Sequence, residues 1–98
     1  MERDRILGIL REHEQELKAA GVLHLGIFGS VAHGHNTSES DIDLLAEFDE
    51  SRRISLVTIG GIQVDLTEWL GTRVDLSSPN WMKPQVKESA LQEAVFAF

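Results

Sequence analysis

From residue 2 to residue 20 the apolar positions recur at helical spacing. Ile6, Leu7, Leu10 and Leu17 fall on one stripe, with Glu, Arg and Lys elsewhere. The pattern predicts one helix over 2–20, ended by Gly21 just past its C-terminus, with Lys18 near the negative end of the helix dipole. The next seven residues, VLHLGIF (22–28), are apolar and bounded by glycine, which predicts a buried strand. GHNTSES (34–40) has the composition of a loop. In DIDLLAEF (41–48) the period changes to two: Ile42, Leu44, Ala46 and Phe48 share one face of a strand, and Asp41, Asp43, Leu45 and Glu47 the other. DESRR (49–53) is a solvated connection.

SLVTIGGIQVDLTEWLG, which follows, fits two patterns. Gly60-Gly61 between β-branched runs fits a two-residue hairpin. Leu56, Ile59, Ile62 or Gln63, Leu66 and Trp69-Leu70, closed by Gly71, fit a helical stripe. Propensity leans to the hairpin, because two adjacent glycines cost a helix interior roughly 2 kcal/mol. TRVDLSS (72–78) is a third strand. SSP then starts a helix, Ser78 as cap and Pro79 in the first turn. A further helical stretch spans about 85–95, with Val86, Leu91 and Val95 in line. Trp69 and Trp81 are expected in the core. The aromatic tail, Phe96 and Phe98, is expected to touch a partner.

Ninety-eight residues bury about 60–65% of their unfolded surface, enough for a single domain over 1–98 with a modest core. Hydrophobic residues at 42% and charged residues at 26% are normal for a globular domain and argue against disorder. The chain has no cysteine, hence no disulfide and no thiolate metal site. MERDRILGIL lacks the apolar run of a signal peptide, and no segment reaches the roughly 18 apolar residues of a membrane span. The expectation is a cytoplasmic protein with no membrane contact. A net charge of −7 argues against direct nucleic-acid binding and suits a carboxylate-rich metal site or a basic partner.

The chemistry concentrates in GSVAHGHNTSESDID (29–43). Gly29 lets the backbone turn sharply and approach a ligand, the N–H groups that follow form an anion site, and the Ser30 hydroxyl donates to a phosphate oxygen. Asp41 and Asp43 leave one face of a strand about 7 Å apart at Cα. Carboxylates that close repel one another unless paired, and a divalent cation such as Mg²⁺ removes the conflict. The four histidines, among them His13, His24 and His35, lack the paired spacing of a zinc site.

Gly-Ser, ten residues, then Asp-x-Asp, with FGS closing one strand and SDIDLL opening the next, resembles the nucleotidyltransferases of the DNA polymerase beta superfamily. The resemblance runs through IFGSVAHG, SDIDLLAEF, WLGTRVDLSSP and KESALQEAV, and the layout is similar to the minimal, single-domain (MNT) members that serve as antitoxins beside HEPN-domain toxins. It implies an α/β fold like the polymerase-beta palm, a small mixed sheet of three or four strands with flanking helices. It also implies ATP as donor, two Mg²⁺ ions, and AMP transfer to a tyrosine hydroxyl of a HEPN-type toxin. The same resemblance implies a third carboxylate in a VDL context on the next strand. Asp65 and Asp75 both satisfy the words. The helix that precedes this strand in the family, ending near a Leu-Gly pair, selects Asp75 and makes 55–70 helical. Carried over residue by residue, Asp41, Asp43 and Asp75 are catalytic and metal-binding, and Gly29, Ser30 and His33 bind the nucleotide. Many members carry Arg where this chain has His33, so an imidazole mostly neutral near pH 7 replaces a permanent cation. Arg52, Arg53, Arg73 and Lys83 are candidates to supply the missing charge.

Overall fold

A computed structural model describes residues 2–29 and 41–98. The expected N-terminal helix is two: α1 (Arg3–Glu12) and α2 (Glu14–Ala19). They divide at His13, whose N–H bonds to Leu10 in a tightened turn and whose ring lies flat on Trp69, with centroids 3.6 Å apart. Gly21 ends the pair at φ 106° as expected, and the Arg52 guanidinium donates to the carbonyls of Lys18 and Ala19 at the helix end. The stripe Ile6, Leu7, Leu10 and Leu17 is fully buried.

Strand β1 (Val22–Phe28) runs antiparallel to β2 (Ile42–Phe48), with a bulge between Val22 and His24 that turns Leu23 outward. Asp49 then accepts from the backbone and hydroxyl of Ser51, which holds its carboxyl below the usual range. Residues 56–70 are helical. Ser55 caps α3 (Leu56–Leu70) by accepting from the Thr58 N–H, and Gly71 closes it in the left-handed region. The two mid-helix glycines lose the contest because Ile62, Leu66 and Leu70 enter the core, each contributing about 1.5–3 kcal/mol. Leu56 does not join that stripe.

Strand β3 is shorter than expected, Val74–Ser77, and lies parallel to β2. Ser78 is buried and its side chain caps nothing. It leads into one 3-10 turn (Pro79–Trp81), and the true helix, α4, is Pro84–Glu93 with Pro84 in its first turn. Val86 is exposed and Ala90 is the buried residue of α4, while Val95 lies beyond the helix in β4 (Val95–Phe96). The tail is built into the sheet. It adds β4 to the free edge of β1, Ala97 is buried, Arg11 donates to the Ala97 carbonyl, and Phe98 packs on the core. Trp69 is part of the core margin, whereas Trp81 is 54% exposed and stacks only on Phe48.

The sheet order is β3-β2-β1-β4, mixed as expected. Helices α1, α2 and α3 cover the face carrying Leu25, Ile27, Leu44, Ala46, Val74 and Leu76. α4 lies over the other face, where Leu45 and Ala90 are buried outside the main core.

Candidate active site

The acidic residues meet because of strand register. In the parallel pair β2–β3, Asp43 stands directly beside Asp75, and Ile42 N–H bonds to the Arg73 carbonyl. Asp41 precedes β2 by one residue. Val74 and Leu76 enter the core, so Asp75, between them, leaves on the same side as Asp43. α3 braces this edge: Gln63 donates to the Val74 carbonyl at 3.2 Å. A polar cleft of about 390 Å³ is lined by Asp41, Gln63, Thr67, Arg73, Val74 and Asp75.

Gly29 closes the other side of Asp43. Its φ of 74° lies in the left-handed region, and a Cβ there would come within 2.5 Å of Asp43 Oδ2. Two independent constraints therefore demand glycine: backbone conformation and contact with a carboxylate. Asp43 is half-buried, flanked by Phe28 on β1 and Asp75 on β3. Burial first, then the charges of Asp75 and Asp41, push its carboxyl above the ordinary range.

Of the four cations singled out in the sequence, Arg73 lines the cleft, with Nε 3.8 Å from Asp41 Oδ1 in an exposed pair. Arg52 caps α2 instead, and Arg53 and Lys83 do not line the cleft. Asp65, the rival third carboxylate, is on the exposed side of α3. Ser30 and His33 lie outside the described residues, as does the loop 34–40. Among the described residues no three Asp, Glu or His side chains converge on a single point as they stand. The donor set is nevertheless the hard-oxygen kind that Mg²⁺ takes, and burial, then the charges of Asp75 and Asp41, disfavour a charged Asp43 in a way that a divalent cation relieves. Gln63 and Thr67 were not anticipated from the sequence. Their signal is the helical phase of α3, which the hairpin reading conceals.

Comparison with known proteins gives a consistent answer. The family model described as nucleotidyltransferase domain matches residues 4–97. The protein adenylyltransferase MntA of Thermococcus cleftensis is 34% identical over 94 residues, covering 95% of this chain and 93% of that one. A solved structure described provisionally as a minimal nucleotidyltransferase superposes with a TM-score of 0.84 at 30% identity, covering 97% of this chain and 95% of its own. A toxin–antitoxin crystal structure with AMP-PNP shares the fold, with a TM-score of 0.70 at 16% identity over all of this chain and 73% of the other.

Proposed function

This chain belongs to the nucleotidyltransferase domain family and is an enzyme of that kind, and from that premise we propose that it is a metal-dependent protein adenylyltransferase, an antitoxin that transfers AMP from ATP to a tyrosine hydroxyl of a HEPN-type toxin. The observation that carries the reading is the β2–β3 register that sets Asp43 beside Asp75, with Asp41 two residues away and Gly29 against the Asp43 carboxylate. The name of the Thermococcus relative supports the adenylyl group and the protein acceptor. The toxin–antitoxin crystal structure with AMP-PNP supports the partner and the nucleotide.

Asp41, Asp43 and Asp75 would hold two Mg²⁺ ions. When bound, these supply charge neutralisation at the phosphates and at the attacking and leaving oxygens. Gly29 lets the backbone approach the triphosphate, Ser30 donates to it, and His33 and Arg73 supply further donors along its path. Asp75 accepts the proton of the acceptor hydroxyl. The acceptor oxygen bonds to the α-phosphorus as the bond to the β-phosphate oxygen breaks, and pyrophosphate leaves. One domain over 1–98 carries the donor half of this chemistry and the partner carries the acceptor.

The test is α-labelled ATP with Mg²⁺ and the purified toxin. Label is expected on the toxin and absent with Asp41→Ala. A second reading, neutralisation by masking alone, draws on His33, which stands where many members of the family carry Arg. Toxin neutralisation that persists in the Asp41→Ala, Asp43→Ala double variant, together with no label on the toxin from the natural chain, would establish masking and overturn transfer.

A further inference from the structure

The side of α3 that faces away from the core is built like an interface. A surface helix ordinarily turns one apolar stripe inward and polar residues outward. α3 turns Ile62, Leu66 and Leu70 inward, yet Leu56 and Val57 are each 85% exposed and Val64 is 57% exposed, with Gly60 and Gly61 open beside them. No charged residue interrupts 56–64. Among the described residues nothing requires the two glycines: neither has a positive φ, and a Cβ on either would meet nothing within 4 Å. Each costs the helix about 1 kcal/mol relative to alanine. Close approach of another backbone from outside accounts for both.

This face runs into the acidic cleft. A hollow of about 540 Å³ along α3 is lined by Gly60, Gln63, Val64, Thr67 and Glu68, and Gln63 and Thr67 also line the cleft that holds Asp41 and Asp75. A body seated in the hollow therefore touches the rim of the site. We propose that this face docks an α-helix of a partner protein, one with an apolar stripe flanked by Lys or Arg, and that it brings the acceptor hydroxyl to the cleft. The last clause rests on the transferase reading; the docking rests only on the pairing with a toxin.

Charge selects that occupant. α3 contains no Lys or Arg, its charged residues are Asp65 and Glu68, and the whole chain carries −7. A second copy would bring like charges rim to rim. An anionic lipid surface or a nucleic acid meets the same repulsion. A basic-flanked helix is complementary. The apolar run 56–64 rises about 13 Å, two turns and a half, and glycines at its centre allow the axes to approach at the short end of the roughly 8–10 Å range for packed helices.

The experiment measures binding of the purified toxin of the proposed pair to the full chain by calorimetry, with Val64→Glu and Gly61→Leu as variants. Each is expected to weaken binding tenfold or more. AMP-PNP affinity should be unchanged, and Gly61→Leu should raise Tm, since Leu favours helix over Gly and the space is open. Unchanged toxin binding in both variants, or no binding by the natural chain, overturns the docking face. A dimer of this chain in sedimentation that Val64→Glu dissociates overturns the choice of occupant. Toxin binding that the variants abolish, with no label transferred by the natural chain, supports docking while the transferase reading fails. Transfer that proceeds undiminished in Val64→Glu does the reverse.

Discussion

Replacing Asp43 by Asn should make the metal-free protein more stable. Asp43 and Asp75 are lateral neighbours on adjacent parallel strands, so their Cα atoms are about 4.8 Å apart. Two unit charges at ~6 Å repel by about 0.7 kcal/mol in water and by more in a less polar medium. Asp75 is exposed, which keeps the value near the lower end. Directly opposed like charges in sheets cost a similar amount, ~0.2–1 kcal/mol. The burial of Asp43 adds to the same side. A gain of about 0.7–1 kcal/mol corresponds to a Tm rise of roughly 3–8 °C for a domain of this size. The sign in pH follows from the direction of the shift. The folded carboxyl is raised above its unfolded value, so its charge disfavours folding fully above the folded pKa, and the penalty disappears as pH falls through that value toward the unfolded 3.8. The advantage of Asp43→Asn is therefore complete above the folded pKa and vanishes as pH falls below the unfolded value of 3.8. Calorimetry in EDTA and in Mg²⁺ separates the terms. Mg²⁺ at ten times its Kd should stabilise the natural chain by about 1.4 kcal/mol and the variant far less. A lower Tm for Asp43→Asn in EDTA, or equal gains from Mg²⁺ in both proteins, would refute the electrostatic argument.

Other outcomes follow from the same geometry. Gly71→Ala meets no neighbouring atom, so it should lose about 1–2 kcal/mol of stability for its left-handed backbone alone and leave transfer intact. Gly29→Ala carries the same backbone strain and also displaces the Asp43 carboxylate, so label transfer should collapse even where urea denaturation shows a comparable loss. Asp75→Asn should slow transfer by about 10²–10⁴-fold in single-turnover assays while AMP-PNP still binds. His13→Ala removes the stack on Trp69, costing about 1 kcal/mol and altering tryptophan emission; an unchanged spectrum would count against the stack.

The parts of the fold that were legible in the sequence are those whose hydrophobic period is long and unbroken. β1, β2 and the inner stripe of the N-terminal helices follow directly from Ile6, Leu10, Leu25, Ile27, Leu44 and Ala46. Asp41 and Asp43 are two positions apart on one strand, so their shared side could be deduced, whereas their meeting with Asp75 depends on a parallel register that no local pattern encodes. Local propensity misjudged α3, because burial of Ile62, Leu66 and Leu70 outweighs two glycines. It also missed the break at His13, which follows a ring contact with Trp69 from a distant helix. Phe96 looked like a surface residue because two residues of strand carry no period at all. Ser30 and His33 fall outside the described residues, so their part in the site rests on the motif.

The clasp of β4 on β1 has a consequence in time. Gly26 pairs with Phe96, some seventy residues further along. At about 5–20 residues per second on the ribosome, β1 waits roughly 4–14 s for that neighbour. β2 and β3, which bring Asp43 and Asp75 together, are both synthesised in the interval. The backbone donors and acceptors along that margin of β1 therefore stay without their partner strand until residues 95 and 96 are made.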